Sequence, residues 1–458
     1  MRILLISFAL LLGLTIPASA QDHSGETHHS EETAQHDNQD HGSEADHGDH
    51  NGQDHGAEAD HDNHGEKDHA DHGAHGEGHG DHHGCACHED HGTEDFEPAA
   101  AAFHHIADAN AFHIWGDIYL PLPCILYAPD HGLTTMLSSK FEMEHHGTGK
   151  KAIDRYVLFE GAVMRVASAD FPMGEVALDC VSHVEHDDHH TPAVVYQGTC
   201  YELEGKSTLD GGVFGGGITS YYDFSITKNV ATMLLVFFLL LFVFRNIANA
   251  YQKRQGLAPS GVQGFFEPII LFIQDEVAKP FLGHKYDRYL PFLLSLFFFI
   301  LGLNLIGQIP FFPGSANVTG NLGVTFVLAI FTFLVVNLSG NKHYWEHIFW
   351  MPGVPAWVKT ILTPVEFLGL FIKPFTLMLR LFANITAGHI VILSFVGLIF
   401  IFGESGTNPG GAGVGVAASV PLTMFMMAIE LLVAFIQAFV FTLLTASYIG
   451  QAVEEAHH

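Results

Sequence analysis

From Asn229 onward the chain carries apolar runs too long for an ordinary soluble core, and the last two exceed what one bilayer crossing requires. Runs at about 229–244, 289–309 and 322–338 have roughly the length of a membrane helix. Residues 360–402 form a run of about 43, which as one helix would extend about 65 Å. Residues 419–450 would extend about 48 Å, whereas the hydrocarbon core is only ~30 Å thick. Each of these two helices is therefore either strongly tilted in the membrane or broken. The stretch between them, 403–416, is short and Gly-rich, which predicts an antiparallel hairpin. The fold expected is an α-helical polytopic membrane protein with five membrane helices, the last two forming a long tilted hairpin.

The N-terminal half has the opposite character. A basic start at Arg2, a short apolar run to Ile16 and an Ala18-Ser19-Ala20 ending read as a signal peptide over residues 1–20. That reading places residue 21 onward in an oxidising, extracytoplasmic compartment. Residues 21–95 contain no Val, Ile, Leu, Met, Phe, Trp or Tyr and repeat Asp-His-Gly triplets such as Asp46-His47-Gly48. Lacking apolar surface to bury, this tail is expected to be disordered. Its imidazoles, with Cys85 and Cys87, could bind transition metals, but a solvated low-complexity tail is the simpler reading. Most of the formal charge of −31 lies in this soluble half, so it says little about partners of the membrane half.

Residues 96–217 are expected to form a small β-containing extracytoplasmic module. The runs 156–166 and 193–201 are rich in β-branched and aromatic residues and read as strands. Cys180 and Cys200 are candidates for a disulfide there, although five cysteines fix no pairing. A Gly-rich linker, 211–217, leads into a membrane domain at 218–458.

Arg245, Lys253 and Arg254 follow the first apolar run and belong on the cytoplasmic side, which agrees with an exported N-terminus. Five crossings then leave the C-terminus in the cytoplasm. The run 265–281 mixes Glu267, Asp275, Glu276 and Lys279 among apolar residues and suits a helix on the cytoplasmic surface.

Charged groups at bilayer depth cost about 2.5–3.5 kcal/mol each on insertion scales, so those in the hairpin want a reason. The first helix holds Glu366, Lys373, Arg380, Asn384 and His389, and the second holds Glu430 and Gln437. At about 100° per residue, Lys373, Arg380 and Asn384 share a face, Glu366 lies close to it, and His389 points away. In an antiparallel hairpin, residues at equal depth have a constant sum of residue numbers. Arg380 with Gln437 and His389 with Glu430 satisfy nearly the same sum, so the two polar levels coincide. His and Glu relay protons when their surroundings tune them. Arg does not deprotonate, so it interrupts a relay while pairing with any carboxylate brought to it. A path that stops at an Arg and resumes elsewhere needs a mobile carboxylate from a partner.

The segment Thr376-Leu-Met-Leu-Arg380-Leu-Phe-Ala-Asn384-Ile-Thr-Ala-Gly-His389 resembles the signature of ATP synthase subunit a. Pro374, Glu430, Gln437, the Asn304-to-Pro310 stretch and Phe266-Glu267 fit the same family, and the likeness covers about residues 220–455. Many bacterial members carry an acid where this chain has His389 and a His where it has Glu430, and Met378 replaces a small residue. The resemblance implies the stator proton channel of an F-type rotary ATP synthase, with two offset half-channels. Its implied partners are the c-subunit ring, the b subunits of the peripheral stalk and the other synthase subunits. Protons would enter at His389 and Glu430, pass to a c-ring carboxylate held by Arg380, and leave past Glu366, with Asn384 and Gln437 lining the path. No bond chemistry, cofactor, metal site or nucleic acid is implied, and the expected location is the bacterial inner membrane. The tail and β module lie outside the common family pattern.

Two rival classes fit less well. A secondary metal transporter should show several ligand-spaced His, Asp or Glu residues within its helices, and a metal-sensing anchored protein leaves five crossings unexplained.

Overall fold

The computed structural model describes residues 107–454 apart from 116–117, 144–146, 187–188, 209–216, 255, 310–315, 352 and 404–406, with backbone alone at 115, 182–186 and 189–190. The expectations for the signal peptide, the His-rich tail, Cys85, Cys87, Pro310 and most of the Gly-rich linker lie outside these residues.

Residues 107–227 build a β module of twelve short strands, and every named strand pair is antiparallel. Strands β5 (Lys151–Ile153), β6 (Tyr156–Phe159), β7 (Ala162–Val166), β8 (Glu175–Ala177), β9 (Cys180–His186), β10 (His189–Tyr196) and β11 (Thr199–Glu204) form a seven-stranded sheet in the order β8-β5-β6-β7-β11-β10-β9. Strands β3 (Pro123–Ala128), β4 (Gly132–Leu137) and β12 (Tyr222–Asp223) form a second sheet, and β1 (Ala111–Trp115) pairs with β2 (Ile118–Pro121). Because successive side chains on a strand point to opposite faces, Tyr156 and Leu158 enter one core with Leu126, Phe141 and Tyr221. Val157 and Phe159 enter another with Phe171, Val194 and Leu203. All four residues of β6 are thus buried.

Each run that reads as a single strand in the sequence is in fact a hairpin. Glu160-Gly161 and Gln197-Gly198 all have φ between 47° and 81°, the mirror-image turn that matches the twist of two-residue hairpins. Cys180 and Cys200 are each disulfide-bonded, but register excludes a bond between them. They stand opposite Val195 from the two outer strands flanking β10.

The chain enters the membrane domain directly from the β module. Asp108 Oδ1 accepts from the Asn229 N–H at 3.1 Å, capping the first membrane helix from 121 residues away. Burial pushes the Asp108 carboxyl up from its ordinary range, against hydrogen bonds from Thr227 and Asn229.

Eight helices follow: α1 (Lys228–Lys253), α2 (Val262–Phe272), α3 (Lys279–Leu282), α4 (Tyr286–Gly307), α5 (Leu322–Ser339), α6 (Lys342–Phe349), α7 (Ala356–Phe402) and α8 (Pro409–Val453). Among the described residues five helical stretches are long and apolar enough to cross a membrane, which fits the five crossings expected. A π-helical turn, Ile273–Ala278, joins α2 to α3, so the charged segment is one amphipathic rod. It buries Ile273, Val277 and Leu282 and exposes Asp275 paired to Lys279 at 2.6 Å.

Neither long helix is broken. At 1.5 Å per residue, the 47 residues of α7 span about 70 Å, so apolar helices of this length fit a ~30 Å core only when steeply inclined. The predicted loop is also shorter than expected, because α8 begins at Pro409, inside the Gly-rich stretch. Asn408 accepts from the Gly411 N–H at 3.0 Å and Pro409 occupies the first helical position, which offsets the ~1 kcal/mol that each helical Gly costs.

Candidate functional site

The site is built by how α7 and α8 lie against each other. A Cβ on Gly415 would stand 3.0 Å from Ile399 Cα, so this glycine permits close approach of the two backbones. Further along, Ser419 Oγ donates to Phe395 O at 2.5 Å. Beyond the middle, Lys373 Nζ donates to Gln451 at 3.1 Å and sits 5.2 Å from the centre of the Tyr448 ring. These contacts give a nearly constant sum of residue numbers, the pattern of an antiparallel pair.

His389 and Glu430 occupy one level of that pair. A Cβ on Gly388 would stand 2.7 Å from Glu430 Oε1, so the carboxyl lies close against α7 beside the glycine that precedes His389. Glu430 is 4% exposed, and its Oε1 has no hydrogen-bond partner among the described residues. His389 is half-buried. A polar chain that sequence reasoning gave no role lies alongside. Thr319 donates to Asn304 Oδ1 at 2.8 Å, and Asn304 donates to Ala434 O, one turn from Glu430 on α8, at 3.3 Å. Thr386 on α7 donates to Gly320 O at 3.4 Å. Gln308 Nε2, Asn317 Nδ2 and Thr423 Oγ1 are buried near these segments without partners among the described residues. Orphaned buried donors and acceptors are costly unless water or a mobile proton meets them. Asn304, buried within an otherwise apolar helix, was the available sequence signal.

Arg380 and Gln437 share a level but not a face. Gln437 is 7% exposed, packed inside the bundle. Arg380 is exposed, on a stripe with Thr376, Ala383, Asn384 and Ala387 at helical spacing. The opposite side of the same turns, Leu377, Met378, Leu381 and Ile385, is buried. Among the described residues Arg380 makes no hydrogen bond or ion pair. Small side chains around the guanidinium leave it accessible from outside the bundle.

Glu366 lies fourteen residues before Arg380 and is half-buried. It interacts electrostatically with Lys373 and Tyr344, and the Tyr344 hydroxyl donates to Asn337 Oδ1 at 3.3 Å. A cleft between α5, α6, α7 and α8 is lined by Thr332, Asn337, Tyr344, Lys373, Pro374 and Tyr448. Lys373 is therefore turned inward to this cleft, while Arg380 and Asn384 face out. Asn337, Tyr344 and Gln451 were not picked out in the sequence: they lie on three different helices, α5, α6 and α8, and only the tertiary fold brings them together. Among the described residues no three His, Cys, Asp or Glu side chains are grouped to hold a metal.

A family model described as the ATP synthase A chain matches residues 230–450, and one for a domain of unknown function matches residues 101–179. ATP synthase subunit a of Chloroherpeton thalassium is 44% identical over 243 residues, covering 52% of this chain and 69% of that one. ATP synthase subunit a 2 of Prosthecochloris aestuarii is 37% identical over 306 residues, covering 64% and 89%. ATP synthase subunit a of Myxococcus xanthus is 40% identical over 263 residues, covering 55% and 81%. The longest of these alignments exceeds the span of the membrane helices, so that likeness reaches into the β module.

Proposed function

The chain belongs to the ATP synthase subunit a family, and from that premise we propose that it forms two offset proton half-channels beside the c-subunit ring. The observation that carries the proposal is Arg380, a guanidinium on the outer face of a membrane helix that makes no hydrogen bond or ion pair among the described residues.

In this reading a c-ring carboxylate is the missing partner. Protons enter from the exported side, where buried Glu430, half-buried His389 and the polar chain through Asn304 and Thr319 accept them one at a time. They pass to the ring carboxylate. After nearly a full revolution that carboxylate returns and loses its proton toward Glu366 and the cleft at Lys373 and Tyr344. Arg380 stabilises the deprotonated carboxylate on arrival and blocks direct passage between the two paths, since arginine does not give up its proton. Asn384, one turn away, shares the ring-facing stripe. Gln437 supports the bundle between the levels. Each proton crossing supplies about 2.3 kcal/mol per 100 mV. The N-terminal module lies on the exported side of the bacterial inner membrane and the C-terminus in the cytoplasm, with the peripheral-stalk b subunits as further partners.

A photo-reactive benzoylphenylalanine at Ala383 or Ala387 tests the face. It should cross-link to subunit c, while the same probe at buried Leu381 should not. Cross-linking at Leu381 alone would overturn the assignment. The His389→Glu/Glu430→His exchange should retain part of the proton-driven synthesis that each single change loses, because a relay keeps its two group types when they trade places.

A further inference from the structure

The three-stranded sheet of the β module is apolar on both faces. Residues directly opposed across antiparallel strands share a face, and the register sets Pro123, Ile125 and Tyr127 of β3 beside Leu137, Thr135 and Leu133 of β4. Tyr222 of β12 stands opposite Tyr127. Beyond β12 the chain stays bonded to β3, the Phe224 N–H donating to Ile125 O at 2.8 Å and the Ile226 N–H to Pro123 O at 3.0 Å. Alternate residues such as Leu126 and Met136 fill the core. None of the outer-face residues is charged, yet Leu133, Leu137, Tyr127 and Phe224 are 65%, 49%, 43% and 40% exposed. An antiparallel sheet with one face in water normally carries polar residues there, as exposed Glu175 and Glu202 do elsewhere in the module. A contiguous exposed apolar face marks a surface that meets something other than water.

What covers this face follows from where it begins. Ile226 is separated only by Thr227 from Lys228, the first residue of α1, which is long and apolar enough to cross the membrane. The Lys228 N–H donates to Ala109 O at 2.8 Å and Asp108 caps Asn229, so the end of the sheet is tied to the first turn of α1. The apolar face is therefore continuous with the point at which the chain enters the bilayer. We propose that the outer face of β3, β4 and β12 lies flat on the lipid bilayer around the entry of α1. The residues suit the boundary between headgroups and acyl chains, where aromatic and aliphatic side chains such as Tyr127, Tyr222, Phe224 and Leu133 are at home. Lys140, exposed just past Leu137 at the end next to α1, offers a cation to lipid phosphates. The backbone limits the depth. β4 and β12 are the edges of this sheet, and unpaired edge groups need water, so the face rests at the boundary and does not enter the hydrocarbon. Docked in this way, the module holds the membrane independently of α1. The inference needs only that α1 crosses the membrane, and neither the half-channels nor the exported orientation enters it.

Spin labels read the surroundings of the face on the full synthase complex in nanodiscs of phosphatidylethanolamine and phosphatidylglycerol. Leu133→Cys, Thr135→Cys and Leu137→Cys carry the label one at a time, with Glu175→Cys as the water-facing reference in the same module. Oxygen, which concentrates in lipid, should relax each face label severalfold more, relative to a water-soluble nickel chelate, than it relaxes the reference. A ratio equal to the reference at any of the three would overturn the proposal, including the case in which Leu137→Cys alone meets lipid and the sheet stands upright. Labels shielded from both reagents would overturn it as well, because another polypeptide would then cover the face. Should the variants fail to assemble, the unaltered complex decides, in nanodiscs holding a phospholipid with a diazirine in its acyl chain. Photolysis should attach lipid within residues 123–137 and not within 175–177, and no adduct in 123–137 would refute the docking.

Discussion

Arg165 in the β module is 1% exposed and engaged on both terminal nitrogens. It pairs with Asp130 at 2.5 Å, donates to Ser220 O at 3.1 Å and lies 5.7 Å from the centre of the Tyr156 ring. Arg380 in the membrane hairpin is exposed and, among the described residues, makes no such contact. The region next to water hides its guanidinium and surrounds it with acceptors. The region built for lipid displays one on an outer face, where an unpaired charge costs about 2.5–3.5 kcal/mol on insertion scales. A charge satisfied within its own chain is part of the scaffold, and one left unsatisfied in so expensive a place points to a group supplied by another chain.

The widest gap between the two arginines should appear in stability. Arg165→Ala should cost about 2–4 kcal/mol, since it removes a large, fully buried side chain and empties the space over Tyr156. Arg380→Ala should stay within ~0.5 kcal/mol, as for other exposed positions. Thermal melting of the purified full chain measures both, and a larger loss from Arg380→Ala would break the comparison. Within the hairpin, Gly388→Ala should cut proton-driven synthesis about tenfold, equivalent to ~1.4 kcal/mol and within the usual cost of overpacking. Gly369→Ala, where a Cβ meets nothing within 4 Å, should leave synthesis unchanged. Equal rates in the two variants would remove the role given to the Glu430 seat. Asn304→Ala should destabilise by about 1–2 kcal/mol by orphaning Thr319 and Ala434 O, and Asn304→Asp should lose less. The smallest effect concerns pH. The Arg165 hydrogen bond holds the Asp130 carboxyl below its ordinary value of 3.8. Its contribution is therefore complete above about pH 4 and lost as pH falls through the lowered pKa. Asp130 is half-exposed, so the loss should be a few tenths of a kcal/mol. It should shrink further in Asp130→Asn when melting is compared at pH 6 and pH 3.

Much of the membrane half was legible because apolar length and helical spacing act locally. The five spans, the antiparallel order of the hairpin and the common level of His389 and Glu430 all follow from them. The start of α8 was not legible. Its glycines read as a loop, and only packing of Gly415 on Ile399 with capping by Asn408 makes them helical. The inward turn of Lys373 and outward turn of Arg380 were hidden for a related reason. Seven residues apart they share a face by arithmetic, and a tertiary bond to Gln451 separates them. In the β module, Gly161 and Gly198 were visible in the sequence, but a Glu-Gly or Gln-Gly pair is a weaker turn signal than Asn-Gly. Asn337 and Tyr344 escaped notice because their cleft is assembled from four helices, the last of them about a hundred residues away in sequence.

The central claim is that Arg380 separates two proton paths by pairing with a carboxylate from outside the chain. Membrane vesicles carrying Arg380→Ala, in complexes shown to be assembled, test it when synthesis and passive proton leak are measured together. Synthesis should fall to background while leak through the membrane sector rises, since the barrier and the partner charge are removed at once. Assembled complexes that keep synthesising ATP without Arg380 would contradict the account.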